Sequence, residues 1–183
     1  MAKEEYVVIL DFLPHGYPMD KRPMHMKTAI AQALGKNTLV LLELVPKKDT
    51  FLQPHEEVYI GDGKRDKVHH IIGKISPGKL TETAKSELNY IISEIVKSNQ
   101  DKFVDFFNKA GSINMRMHQL QLLPGIGKKH MMAILEARRD KDFLSFEDIR
   151  ERVKLLPDPE KAIIKRILLE LEGTEKHYLF VRY

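Results

Sequence analysis

The residues best suited to chemistry lie at 122–129, Leu-Leu-Pro-Gly-Ile-Gly-Lys-Lys. Gly125 and Gly127 permit backbone angles that other residues rarely adopt, and Pro124 ends any helix that precedes it. The pattern predicts a tight hairpin that opens a helix, with Ile126 as an apolar plug that ties the hairpin to the core. Backbone N–H groups at a helix N-terminus form a concavity suited to a phosphate oxygen. The segment therefore predicts contact with a phosphate backbone.

Positive charge is concentrated around this hairpin. The whole chain carries 30 Lys plus Arg against 26 Asp plus Glu, a net charge of +4, which is too mild to indicate a polyanionic partner. Residues 111–139, however, contain five basic residues and one acidic residue, Glu136. The net charge of this stretch alone therefore equals the net charge of the whole chain. The basic residues are Arg116, Lys128, Lys129, Arg138 and Arg139. Of these, Arg116, Lys128, Lys129 and Arg138 are predicted to contact nucleic acid together with the hairpin backbone.

The pattern resembles the helix-hairpin-helix motif of nucleic-acid-binding proteins, whose hairpin reads Leu-Pro-Gly-Ile-Gly followed by a basic residue. The resemblance continues through Ile134, Leu135 and Arg138 to Phe143 and to Ser-Phe-Glu-Asp-Ile at 145–149. It implies two helices joined by a hairpin that holds phosphate. The alternative is a helix connector used only for packing or for protein contact.

An internal repeat appears when the helical region is shifted by 33 residues. Residues 122–124 fall on 155–157, and both read Leu-Leu-Pro. The turn differs between the copies, because Gly-Ile-Gly at 125–127 becomes Asp-Pro-Glu at 158–160. Two helix-turn-helix units are predicted, of which only the first can approach a phosphate.

The elements that position the hairpin divide into two regions. Up to about Ser76, runs rich in Val, Ile, Leu and aromatic residues predict four or five short strands in a small barrel or sandwich. Between the first two strands, a short helix is predicted at Thr28–Leu34, closed by Gly35. The predicted strands cover residues 6–13, 38–45, 58–60 and 68–75.

From residue 80 onward the hydrophobic period becomes helical. Apolar stripes within 81–110 predict helix there without a flexible linker. Further helices are predicted at about 113–122, 128–138, 146–154 and 160–171. The fold class is therefore α+β, with a β-barrel at residues 1–79 and an all-helical region at 80–183.

The whole chain is similar to an uncharacterised archaeal family of RNA- or nucleic-acid-binding proteins. The similarity rests on Leu-Pro-x-Gly at 13–16, on Gly-x-Gly-Lys-Arg-Asp-Lys at 61–67 and on the hairpin, and it covers nearly the full length. It implies an OB-like, S1-related barrel joined to the helix-hairpin-helix region. The similarity therefore indicates the fold more than the mechanism.

The predicted barrel offers a second candidate surface. Basic residues cluster in two turns, and three aromatic residues could supply stacking faces for a single strand. The alternative is that turns are ordinarily charged and strand aromatics ordinarily lie in the core, and Asp62 and Asp66 dilute one cluster. The basic residues are Lys64, Arg65 and Lys67 in one turn and Lys21, Arg22 and Lys27 in the other; the aromatic residues are Tyr17, Phe51 and Tyr59.

Several protein classes are excluded by composition. The chain has no cysteine, which removes disulfides, thiol chemistry and cysteine-ligated metals. No apolar run approaches the roughly 18 residues of a membrane helix, and no signal peptide is recognised, so a cytoplasmic protein without membrane contact is expected. His69 and His70 lie in a strand pattern, where their rings should point to opposite faces and could not chelate one ion. No metal, cofactor or enzymatic activity is expected.

The sequence therefore predicts a protein that binds nucleic acid largely through phosphates, with RNA favoured over DNA. A protein–protein adaptor and a DNA-binding repair or recombination factor are the alternatives, and an enzyme acting on nucleic acid is more distant. Binding to a protein partner is a further possibility that the sequence leaves open. The terminal segment 178–183, Tyr-Leu-Phe-Val-Arg-Tyr, is predicted to dock on the body of the protein, because exposing its large apolar side chains would favour aggregation.

Overall fold

The computed structural model describes residues 3–183, which divide into two compact units. One unit contains the chain up to Ile91 together with Glu170–Tyr183, and the other contains Ile92–Leu169. The division at Ile91 falls inside a helix, so the sequence-based boundary between residues 79 and 80 stays a prediction about independently folding domains.

The first unit is built on a five-stranded antiparallel sheet, curled into a half-barrel, with strand order β4-β1-β2-β3-β5. Together with the mostly helical region that follows, it confirms the α+β class. The strands are β1 (Tyr6–Leu13), β2 (Ile30–Gly35), β3 (Leu41–Pro46), β4 (Glu57–Tyr59) and β5 (Val68–Lys74).

The predicted helix at Thr28–Leu34 is wrong, because most of this segment forms strand β2. The strand pairs with β1 on one side and β3 on the other, and five of its six residues are buried. A central strand covered on both faces loses the alternation of apolar and polar residues that identifies strands. A short apolar run of this kind cannot be distinguished from a buried helix by periodicity.

A buried glutamine on β2 fixes the start of the first helix, α1 (Glu82–Ser98). The Gln32 amide donates to the Lys79 carbonyl at 2.9 Å and accepts from the Thr81 N–H at 2.9 Å. The Thr81 hydroxyl in turn accepts from the Ala84 N–H at 3.1 Å, which caps the first turn. Hydrogen bonds therefore join the sheet to the beginning of α1, and the buried Gln32 amide has a partner for both its donor and its acceptor.

The second unit is mostly helical and holds a small β-hairpin. The 113–122 helix predicted from sequence is wrong: the chain forms two short strands and then a 3₁₀ turn at Gln119–Leu122. The His118 ring accepts from the Leu120 N–H, and the Gln121 side chain accepts from the His118 N–H, so the turn is capped at its start and cannot extend backward. The elements are α2 (Gln100–Lys109), β6 (Ser112–Asn114), β7 (Met117–His118), α3 (Lys128–Asp140), α4 (Phe146–Arg152) and α5 (Pro159–Leu171).

The terminal segment docks on the first unit, as predicted. Phe180 and Val181 are buried, and the Arg182 N–H donates to the Thr38 carbonyl at 2.9 Å, although the segment forms no regular strand. The buried carboxylate of Glu170 accepts from three consecutive backbone N–H groups, those of residues 179–181, at 2.6–3.0 Å. This carboxylate replaces the backbone partners that a strand would have supplied.

Limited trypsin digestion is expected to cut first after Lys21. Residues 14–27 form a largely exposed connection whose one regular element is a 3₁₀ turn at Met24–Met26, whereas the lysines between 82 and 109 lie within α1 and α2. Cleavage inside a helix requires local unfolding, while an exposed connection is already accessible. Mass spectrometry of early fragments tests this order, and early fragments ending at Lys85 or Lys97 would contradict it.

No helix among residues 3–183 is both long enough and apolar enough to cross a membrane.

Candidate nucleic-acid interface

The predicted hairpin at Gly125 forms a tight turn that opens α3. Gly125 has a φ of +83°, in the left-handed region that glycine adopts without strain. The Ile126 N–H donates to the Leu123 carbonyl at 3.1 Å, and the Ile126 side chain is buried, as predicted. Gly127 is the N-cap of α3, which begins at Lys128. The turn therefore holds the start of α3 against the core of the second unit.

The beginning of α3 presents backbone donors to open space. The first N–H groups of a helix have no partner within it, and an N-cap glycine has no side chain that could accept from them. No protein atom lies within 4 Å of the position that a Cβ on Gly127 would take. Lys128 and Lys129, the first two helical residues, are exposed beside these donors. This end of α3 combines backbone donors, the positive end of the helix dipole and two ammonium groups.

The second hairpin fills the same place with its own carboxylate. Asp158 precedes α5 and corresponds to Gly125 in the repeat. Its Oδ1 atom accepts from the backbone N–H groups of Glu160 and Lys161, at 3.0 and 3.2 Å. An anion thus occupies the helix start in the second copy. In the first copy a glycine stands in place of Asp158, and the equivalent N–H, that of Gly127, donates to the His130 ring at a long 3.4 Å.

Arg150 holds this internal anion in place. One guanidinium nitrogen lies 3.1 Å from Asp158 and 3.2 Å from Glu160. Burial acts to raise the pKa of Asp158, but hydrogen bonds from Arg150 and from backbone N–H groups outweigh it and hold the pKa below its usual value. The positive end of α5 is therefore neutralised by a side chain of the second hairpin itself. The first hairpin, in contrast, presents the positive end of α3 to solvent.

Two shallow grooves of about 450 and 720 Å³ meet at Lys128. The first groove runs between the β6–β7 hairpin and α3 and is lined by Arg116. The second follows α3 and is lined by Lys129 and Arg139, with Glu136 as its one acidic group. These cations lie along one continuous surface of the second unit, which we call the hairpin surface: Arg116, Lys128, Lys129 and Arg139.

Arg138, predicted to contact nucleic acid, points away from this surface. Its guanidinium donates to the carbonyl oxygens of Phe107 and Ala110 at 3.1 and 2.8 Å, at the end of α2. Burial lowers the pKa of Arg138 below its usual value. Arg139, which sequence reasoning did not select, takes its place on the hairpin surface. The signal was available, because residue 139 falls on the same helix face as Lys128, three turns later.

Three of the basic residues predicted in the first unit already have partners within the protein. Lys67 pairs with Glu56, Arg65 donates to the Gly61 carbonyl at 2.8 Å, and Arg22 pairs with Asp20. Such pairing uses part of the positive charge that a phosphate would need. Lys64 and Lys21 are exposed and lie in separate segments, before β5 and before β2.

The three aromatic residues proposed for stacking have different roles. The Tyr17 hydroxyl donates to Glu43, and burial, with this hydrogen bond, raises the pKa of Tyr17 to about 12. The Tyr59 hydroxyl accepts from the Gly63 N–H at 3.0 Å, which orders the segment after β4. Phe51, in contrast, is 68% exposed. Of these three, Phe51 alone offers an open ring face.

The prediction that His69 and His70 point to opposite faces is wrong. Their Nδ1 atoms lie 2.8 Å apart, and both side chains are exposed. The register of β3 with β5 shifts here, because Val45 pairs with His70 while Pro46 pairs with Val68. His69 is thus the extra residue of a β-bulge, which interrupts the alternation of side chains. Within residues 3–183 no three His, Asp or Glu side chains form a group that could hold a metal ion.

Comparisons with known proteins find archaeal relatives along the whole chain. A family model described as "Protein of unknown function (DUF655)" matches residues 3–182. The uncharacterized protein MJ0038 of Methanocaldococcus jannaschii is 45% identical over 182 residues, which cover 98% of this chain and 81% of that protein. The crystal structure of Af1531 from Archaeoglobus fulgidus, also of family DUF655, matches with 46% identity and a TM-score of 0.90, covering 98% of this chain and 100% of that chain.

Proposed function

We propose that this chain, which belongs to the DUF655 family, binds nucleic acid through the phosphate backbone, with the hairpin surface as its contact. The contrast between the two hairpins carries the proposal. In the second copy a carboxylate accepts from the N–H groups at the helix start. In the first copy a glycine replaces that aspartate beside the exposed Lys128 and Lys129, and the His130 ring accepts from the Gly127 N–H at a long 3.4 Å. A phosphate oxygen has the charge and the acceptor geometry to bind at the start of α3.

The arrangement favours backbone contact over the reading of base sequence. The hairpin surface offers ammonium, guanidinium and backbone N–H groups, which bind phosphate irrespective of sequence. Its cations are spread along α3 and the β6–β7 hairpin, so they suit a charged strand better than a single small anion. We therefore expect little discrimination between sequences.

RNA is the proposed ligand, ahead of DNA. A curled five-stranded antiparallel sheet is compatible with an OB-like barrel, the finer fold that we propose for the first unit. Barrels of that type take single-stranded nucleic acid, the usual form in which RNA is recognised. DNA, as in a repair or recombination factor, would use the same hairpin, so parallel titrations with both nucleic acids test the preference.

A protein–protein adaptor is the second candidate, because one feature of the second hairpin favours it. Leu155 is 95% exposed and has a φ of +63°, a strained conformation for a leucine. Strained residues held in place by their surroundings occur preferentially at functional sites, and an exposed leucine suits an apolar partner. In that case the charge on the first hairpin would serve solubility only.

The salt dependence of binding separates these two candidates. If the hairpin surface and its flanks neutralise about 4–6 phosphates of a single strand, log affinity should fall against log salt with a slope of roughly 3–4. Fluorescence anisotropy with labelled single-stranded and double-stranded RNA and DNA, at several salt concentrations, measures this slope. An adaptor would show a slope near zero, or no binding to any nucleic acid.

A further inference from the structure

A second cleft, in the first unit, has a different chemistry from the hairpin surface. It lies at the edge of the half-barrel where β1 and β3 end and β5 begins, and its volume is about 850 Å³. Antiparallel pairing brings these strand ends together. Volumes of this order are typical of sites that hold a small ligand or one nucleotide. We call it the edge cleft.

One wall of the edge cleft is aromatic. Phe12 and Phe51 meet edge to face, with ring centroids 4.9 Å apart and planes at 67°. This contact orients the Phe51 ring while leaving it 68% exposed. The neighbouring Leu52 is 1% exposed, so the loop that carries Phe51 is anchored in the core. An oriented, exposed ring on an anchored loop is a stacking platform for a planar group.

The other walls of the edge cleft are cationic and polar. Lys27, Lys47 and Lys48 line it, with Asp49 as the one carboxylate. Lys48 is exposed, whereas the Lys47 ammonium also donates to the Arg65 carbonyl. Positive charge beside an open ring complements a ligand that has both a phosphate and a planar base.

The paired histidines complete the cleft. The bulge at His69 brings both imidazoles into its lining, where an alternating strand would have placed one of them on the opposite face. Imidazole N–H groups donate to phosphate or ribose oxygens, and the rings add planar surface. This arrangement is not predictable from the sequence, because bulges have no reliable single-sequence signal.

We infer that the edge cleft binds one unpaired nucleotide of a single-stranded nucleic acid. The base stacks on Phe51, and its phosphate lies toward Lys48 and Lys27. A base within a duplex cannot enter, because both of its faces are already stacked. This site lies in the first unit and uses none of the hairpin residues. It rests on the proposed binding of nucleic acid for its class of ligand, and it adds a second, single-strand contact.

The test uses the full chain and short labelled oligouridine, its deoxy counterpart and a duplex. Removing one stacking ring costs roughly 5- to 150-fold in affinity, so Phe51→Ala should weaken single-strand binding by that factor and leave duplex binding unchanged. Tyr90→Ala is the matched control, because Tyr90 is 65% exposed on α1, in the same unit and outside the cleft. A weaker effect of the same kind is expected for Lys48→Glu, with Lys79→Glu as its control.

Three results would overturn the inference. The first two are single-strand affinity of the Phe51→Ala protein within twofold of the unaltered protein, and absence of single-strand binding altogether. The third is photo-crosslinking of thiouridine-substituted RNA that is confined to residues 111–139, with no adduct at residues 47–51 or 69–70. Circular dichroism shows whether each variant is folded. If Phe51→Ala weakens binding while Lys128→Glu does not, the cleft stands and the hairpin proposal fails.

Discussion

Replacing Lys128 and Lys129 together by glutamate is expected to weaken binding to RNA and DNA of every sequence, with the fold intact. Both side chains are exposed, so their replacement removes no core packing. A hydrogen bond to a charged group contributes about 1.5 kcal/mol or more, so losing two corresponds to roughly 100-fold in affinity. The salt slope should fall by about 0.7 for each lost contact with a single strand. Anisotropy titrations at several salt concentrations measure both quantities.

The internal repeat supplies a matched control for this variant. Lys161 corresponds to Lys128 in the second copy and is also exposed, but its helix start is already neutralised by Asp158. Lys161→Glu should therefore leave affinity nearly unchanged, whereas Lys128→Glu alone should lower it about tenfold. Equal effects of these two single variants would show that net charge, and not the hairpin, governs binding. Unchanged affinity in the double variant would refute the hairpin contact itself.

Deletion of residues 177–183 is expected to have the largest effect on stability. It removes two buried apolar side chains, Phe180 and Val181, each contributing about 1.5–3 kcal/mol before the entropy of ordering the segment is subtracted. It also leaves the buried Glu170 carboxylate without the three N–H donors of the tail. The thermal midpoint should fall by roughly 6–20 °C, at about 2–4 °C for each kcal/mol in a chain of this size.

Single substitutions at Glu170 and Glu172 separate the carboxylate from the apolar burial. Glu170→Gln keeps the shape of the side chain but brings an amide donor toward backbone N–H groups, so it should lower the midpoint clearly. Glu172→Gln, at an exposed position two residues later, should change stability by no more than about 0.5 kcal/mol. A truncated protein with an unchanged midpoint and unchanged solubility would contradict the docking of the tail as a source of stability.

The sequence predicted an element well where residues within that element determine where it begins. The helices near 128, 146 and 160 begin within a residue of their predicted starts, because glycine, Ser145 and proline mark those starts chemically. Strand β2 was missed because its partners on both sides bury it, which is a tertiary property. The β6–β7 hairpin was missed because the side chain of His118 begins a 3₁₀ turn, a contact without a periodic signature.

The candidate site was predictable in its backbone and less so in its side chains. The hairpin around Gly125 has the predicted turn, because glycine spacing restricts the backbone directly. A count of charges does not separate Arg138 from Arg139. Helical spacing places Arg139 on the face of Lys128, and the end of α2 binds the guanidinium of Arg138. The edge cleft was not found because a bulge places His69 and His70 together, and a one-residue shift in register is invisible to alternation.

The contact between the two hairpins has a consequence for the rate of binding. A Cβ on Gly125 would lie 3.3 Å from Pro157, which corresponds to Pro124 in the repeat, so the second copy braces the turn of the first. A braced turn has little conformational freedom left to lose, and a ligand that meets it need not wait for a rearrangement. Association should then be limited by diffusion and accelerated by charge, with the salt dependence expressed mainly in the on-rate. The second copy, whose helix start is occupied by its own Asp158, would then keep the first one ready for fast association.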